Sequence, residues 1–134
     1  MQTSDIIYLG QLRCKARHVT SGVEIITDAP PDNRGKGESF SPTDSVASAL
    51  GTCALTTMGI IASDHQINID TVSAKITKVM ASSPRRISEV WMEISFPPNH
   101  YSDEQKKILE DTALNCPVAK SLHPDIKQKV TFIY

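Results

Sequence analysis

The sequence predicts an α+β domain in which two antiparallel hairpins and a C-terminal strand pack on one long buried helix. Three observations predict it. Apolar and polar residues alternate near both ends of the chain, an uncharged run from Ser45 to Ser63 follows a helix-start signal, and a second helix start lies at Ser102. With 134 residues, 40% hydrophobic and 22% charged, the chain suits one soluble domain spanning residues 1–134.

Residues 6–19 read as a strand with Leu12, Cys14 and Ala16 on one face and Gln11, Arg13, Lys15 and Arg17 on the other. Thr20, Ser21 and Gly22 make a turn into a second strand at Val23–Ile26, completing a hairpin. The stretch from Thr27 to Ser39 holds prolines, glycines, aspartates and an asparagine and reads as a long loop. Ser41 is a helix N-cap, Pro42 suits the first helical position, and Asp44 completes a capping box. The helix then runs to about His65, with Val46, Leu50, Cys53, Thr57 and Ile61 at helical spacing. A helix with no charge on any side should be buried nearly all round, and a second subunit is expected to cover part of it.

Val72, Ala74 and Ile76, then Val90, Met92, Ile94 and Phe96, alternate around a Ser82-Ser83-Pro84 turn and predict a second hairpin. Ser102 and Gln105 form another capping box, opening a helix whose inner face is Ile108, Leu109, Thr112, Ala113 and Cys116. Pro117 breaks that helix and can start a short helical turn. Ile126, Val130 and Phe132 predict the last strand.

The composition excludes several functions. A net charge of -1 with scattered basic residues argues against nucleic acid, which needs a basic patch. The uncharged run is as long as a membrane span, but its serines, threonines and glycines favour a buried helix over the bilayer. The early Asp5 and the lack of a basic leader argue against a signal peptide, so the expected compartment is the cytoplasm. Cys14, Cys53 and Cys116 lie too far apart for a zinc knuckle, and His18, His65, His100 and His123 have no metal-ligand spacing. No bound cofactor or metal is expected.

The cysteines are therefore either inert core residues or reactive thiols. Cys14 alternates with Leu12 and Ala16 and reads as core. Cys53 sits mid-helix on the stripe of Val46 and Leu50, where it is a small buried hydrophobe or a nucleophile. A nucleophile there is far from the positive helix end and needs a cation from elsewhere. Arg34, in the glycine-containing loop before the helix, is the first candidate; Arg17 and Arg13 follow. Cys116 is placed at the N-cap of the turn after Pro117, where backbone N–H groups would favour its thiolate. Asp44 has a complete structural role in the capping box, and holding Arg34 is a second possible one.

Ser41-Pro42-Thr43-Asp44 through Gly51-Thr52-Cys53 resembles the OsmC/Ohr stretch in which Asn-Pro-Glu-Glu leads a small-residue helix to a reactive cysteine. Cys116-Pro117-Val118-Ala119-Lys120 resembles the second cysteine motif of that superfamily, and the order of elements agrees over nearly the whole chain. The resemblance implies an intertwined homodimer that reduces organic hydroperoxides. It implies that Cys53 becomes a sulfenic acid, that Cys116 captures it as a disulfide, and that a dithiol or lipoyl-type reductant restores both thiols. It carries the superfamily's arginine to Arg34. Thr43 stands where the superfamily has a glutamate, with Asp44 one place later, and this departure leaves a non-catalytic dimeric binding or stress-associated protein as the alternative. A hydrolase pairing Cys53 with a histidine is a third reading.

Overall fold

A computed structural model describes all 134 residues. The chain divides into two compact units, Met1–Val46 and Ala47–Tyr134. The class is α+β, with two separate three-stranded sheets and one long helix.

The first unit is built on strands β1 (Ser4–Gly10), β2 (Arg13–His18) and β3 (Glu24–Asp28), ordered β1-β2-β3 and antiparallel throughout. The expected single strand over 6–19 is therefore two strands. Gln11 and Leu12 turn the chain with φ of 54° and 63°, after Gly10 at 84°. Two consecutive left-handed residues give the twist that joins antiparallel strands tightly, but neither glutamine nor leucine advertises such a turn. The turn also removes Leu12 from the strand alternation. Cys14 is accordingly half-buried rather than a core residue, opposite Tyr8 on β1 and Thr27 on β3. Within this unit the sheet buries neither face of β1, where Ile6, Ile7, Tyr8 and Leu9 are all exposed.

The loop after β3 contains a turn of 3-10 helix at Pro31–Asn33 and closes back on itself. Asn33 and Gly35 donate N–H bonds to the Pro30 carbonyl at 2.9 Å each, and Gly37 donates to Ala29 O at 3.3 Å. Its base is fastened by the buried Asp28 carboxylate, which accepts from Arg13 Nε at 2.7 Å, Arg13 Nη2 at 2.9 Å and Glu38 N at 3.2 Å. The Arg13 fork holds the Asp28 carboxyl below the usual carboxylate range despite burial.

Helix α1 (Pro42–Asp64) begins in the first unit and runs into the second. Its capping box forms as expected: Asp44 N donates to Ser41 Oγ at 3.0 Å, and Ser41 N donates to Asp44 Oδ2 at 2.9 Å. In the second unit, β4 (Ser73–Ala81) and β5 (Arg86–Ser95) pair as the expected hairpin. Helix α2 (Asp103–Leu114), short helix α3 (Pro117–Ser121) and β6 (Lys127–Ile133) follow, and β6 lies parallel to β5. The α2–α3 segment supplies the crossover that a parallel neighbour requires.

The core of this unit gathers Leu50, Ala54, Met58 and Ala62 of α1 with Val90, Met92 and Ile94 of β5 and Leu109 and Ala113 of α2. Gly51 lets the sheet approach the helix, because a Cβ there would meet Ile76 Cδ1 at 2.8 Å. The helix is long and apolar enough to cross a bilayer, yet its buried face belongs to this core. It is not buried all round within this chain. Thr52, Thr56 and Ile60 form an exposed, uncharged stripe.

Candidate active site

Cys53 is presented by α1 at mid-helix, half-buried, one turn beyond the fully buried Leu50. Cys116 comes to it from the connection between α2 and α3. Asn115 ends α2, and Cys116 takes extended φ, ψ angles of -65° and 158°, the backbone shape that a residue before proline prefers. Pro117 then occupies the first position of α3, where a missing N–H costs nothing. This arrangement turns the next backbone N–H, that of Val118, onto Cys53 Sγ at 3.5 Å. The two thiols are free, and each shifts the titration of the other.

Their electrostatics differ in sign. Burial pushes the Cys53 thiol up, but the Val118 N–H, the Cys116 side chain and Thr57 together outweigh it and hold Cys53 below the ordinary thiol value. Cys116 is fully buried, and burial pushes it up; the Ala119 and Val118 N–H groups oppose this, while Cys53 adds to it. The expectation that the N-cap position would make Cys116 a thiolate is thus corrected. An anion enclosed on all sides loses more solvation than two N–H groups return, and a neighbouring thiolate repels it. The pair is polarised: of the two thiols, Cys53 gives up its proton at the lower pH.

The pH behaviour follows from those directions. A lowered thiol pKa means that the thiolate persists to lower pH, whereas a raised one means that Cys116 stays protonated to higher pH. Under limiting iodoacetamide at neutral pH, label is expected on Cys53 in preference to Cys116, located by peptide mass spectrometry. Equal labelling of these two sulfurs would contradict the polarisation.

Arg34 belongs to the first unit. It is exposed at the end of the 3-10 turn and holds a left-handed φ of 68°. The forces that lower Cys53 come from N–H, thiol and hydroxyl groups, with no cation among them. Of the other arginine candidates, Arg13 is committed to Asp28 and Glu38, and Arg17 lies 3.9 Å from Asp5 across the β1-β2 pair. Asp44 caps α1. No histidine is among the groups that shift Cys53.

Two contributors escaped the sequence reading. The Val118 N–H is backbone and leaves no mark in residue identity. Thr57 was legible in principle: it lies four positions after Cys53 on the same helix, where side chains meet.

Comparison with known proteins agrees with this architecture. The family profile of OsmC-like proteins matches residues 35–131. A candidate osmotic stress induced and detoxification response protein from Psychrobacter arcticus 273-4 is 55% identical, with a TM-score of 0.94 over 98% of this chain and 96% of that one. An organic hydroperoxide resistance protein OsmC from Legionella pneumophila shares the fold at 15% identity, with a TM-score of 0.78 over 100% and 98% of the two chains. So does a candidate organic hydroperoxide resistance protein from Vibrio cholerae with captopril in one of its active sites, at 14% identity and a TM-score of 0.76 over 98% and 92%. No curated protein sequence matches.

Proposed function

Because the chain belongs to the OsmC-like family, we propose that it is a thiol peroxidase that reduces organic hydroperoxides, with Cys53 as nucleophile and Cys116 as its disulfide partner. The supporting observation is the polarised pair: a Cys53 sulfur that accepts the Val118 N–H at 3.5 Å and is held below the ordinary thiol value, beside a buried Cys116 pushed above it. The Cys53 thiolate attacks the terminal oxygen of the hydroperoxide. The S–O bond forms, the O–O bond breaks, and the alkoxide takes a proton to leave as alcohol. Cys116 then attacks the sulfenic sulfur, and the S–O bond breaks as hydroxide departs with the Cys116 proton as water. An external dithiol, of lipoyl type by family likeness, reduces the resulting disulfide.

Arg34 is the cation of this reaction in our reading, and Asp44 the carboxylate that steadies it. An arginine fork suits a peroxide oxygen that gains charge as the O–O bond opens. The protein acts as a homodimer. The apolar residues exposed on both faces of β1, with Val23, Ile25 and Ile60, support this, since such surface calls for a partner. Light scattering that returned the mass of one chain would remove the dimer from the proposal.

The test is consumption of cumene hydroperoxide by the wild-type protein with excess dithiol. Arg34→Ala is expected to lower the rate about tenfold to a hundredfold, and Arg34→Lys to recover part of it. A wild-type protein inert toward alkyl hydroperoxides overturns the proposal. One observation favours a second reading, a binding protein that kept the fold: Thr43 replaces the superfamily glutamate, and Asp44 spends one carboxylate oxygen on the Ser41 N–H. Slow alkylation of Cys53 at neutral pH would support it.

A further inference from the structure

Thr57 stands one helical turn after Cys53, and its hydroxyl faces two acceptors of that same residue. Oγ1 donates to the Cys53 carbonyl oxygen at 2.7 Å and lies 3.9 Å from Cys53 Sγ. Back-bonding of a helical threonine to the preceding turn is common and accounts for the first contact. The second gives it chemical meaning. The hydroxyl has one proton, so it cannot serve carbonyl and sulfur together at full strength.

While Cys53 is a thiol, the carbonyl is the better acceptor, and the Thr57 lone pairs are left facing the S–H. Once Cys53 ionises, its sulfur becomes a charged acceptor, and charge-assisted bonds are the stronger ones. Rotation about the Cβ–Oγ1 bond then redirects the proton with no heavy atom moving. We propose that Thr57 is a further residue of the active site, its hydroxyl proton turning from the Cys53 carbonyl to Cys53 Sγ as the thiol ionises. The inference rests on Cys53 being the nucleophile. The other groups acting on that sulfur are the Val118 N–H from α3, which does not titrate, and the Cys116 thiol from the α2–α3 connection, which does. No charged side chain acts on it. Thr57 is thus the one side-chain donor whose removal leaves the second thiol in place.

The experiment is the rate of iodoacetamide alkylation at Cys53 across pH, read by peptide mass spectrometry in the full-length protein. Thr57→Val keeps the branched shape without the hydroxyl, and Thr57→Ala removes it in a residue that favours helix. Both are expected to slow alkylation below the titration midpoint by about threefold, the size of a long charge-assisted bond, with the midpoint moved upward. Above the midpoint all rates should converge, and Thr57→Ser should restore the wild-type curve. Back-bonding alone would leave the curves superimposed. Val and Ala variants that titrate like the wild type overturn the inference, as does a Ser variant that behaves like Val. The outcome is separable from the peroxidase reading. Superimposed curves with intact hydroperoxide turnover overturn Thr57 alone; shifted curves in a protein with no turnover overturn the peroxidase alone.

Discussion

Replacing Cys53 by serine will leave the fold intact and lower hydroperoxide turnover by about a thousandfold or more, as loss of a nucleophile does when no other group can take its place. The fold should hold because serine is nearly isosteric, the position is half-buried, and its oxygen can still accept the Val118 N–H. The chemistry should fail because a serine hydroxyl remains protonated at neutral pH, while the Cys53 thiol is the one of the pair held below its ordinary value. Cys116→Ser separates the two steps. It should consume about one equivalent of hydroperoxide per chain and then stop with Cys53 as a sulfenic acid, trapped by dimedone and read by mass spectrometry. Turnover unchanged in Cys53→Ser would remove the nucleophile from this site.

Gly35→Ala is expected to act from the other unit, on stability as well as turnover. A Cβ at this position would stand 1.6 Å from the Ala29 carbonyl oxygen and 2.0 Å from its carbon. The obstacle is backbone, so no rotamer change can relieve it. The loop must open, releasing the bonds from Asn33, Gly35 and Gly37 that fold it onto Pro30 and Ala29. Overpacking of this kind costs about 1–3 kcal/mol, or more where the backbone cannot yield. Thermal unfolding should therefore begin at lower temperature. If Arg34 serves the reaction, turnover should fall as far as in Arg34→Ala, because the displaced neighbour of Gly35 is Arg34 itself. Alkylation of Cys53 should be unaffected. An unchanged melting curve together with full turnover would show that neither the loop's closure nor its arginine matters.

Local signals were legible where they involve neighbours in sequence. The capping boxes at Ser41 and Ser102 formed because serine, two intervening residues and a carboxylate or amide suffice to satisfy helix-end N–H groups. Alternation located β4 and β5 for the same reason, since one face of a strand must be apolar to join the core. The Gln11-Leu12 turn was not legible, because its left-handed residues are not those that favour such angles. Nor was the direction of β6, which depends on where the α2–α3 crossover returns the chain.

The sequence by itself determined where the helices start, which faces are apolar, and that the segments around Cys53 and Cys116 resemble the two cysteine motifs of the family. Only the tertiary structure decided which sulfur ionises more readily. That choice depends on how completely each thiol is enclosed and on which N–H groups point at it. Neither is a property of residue type or spacing, because solvation and hydrogen-bond direction arise once distant segments meet.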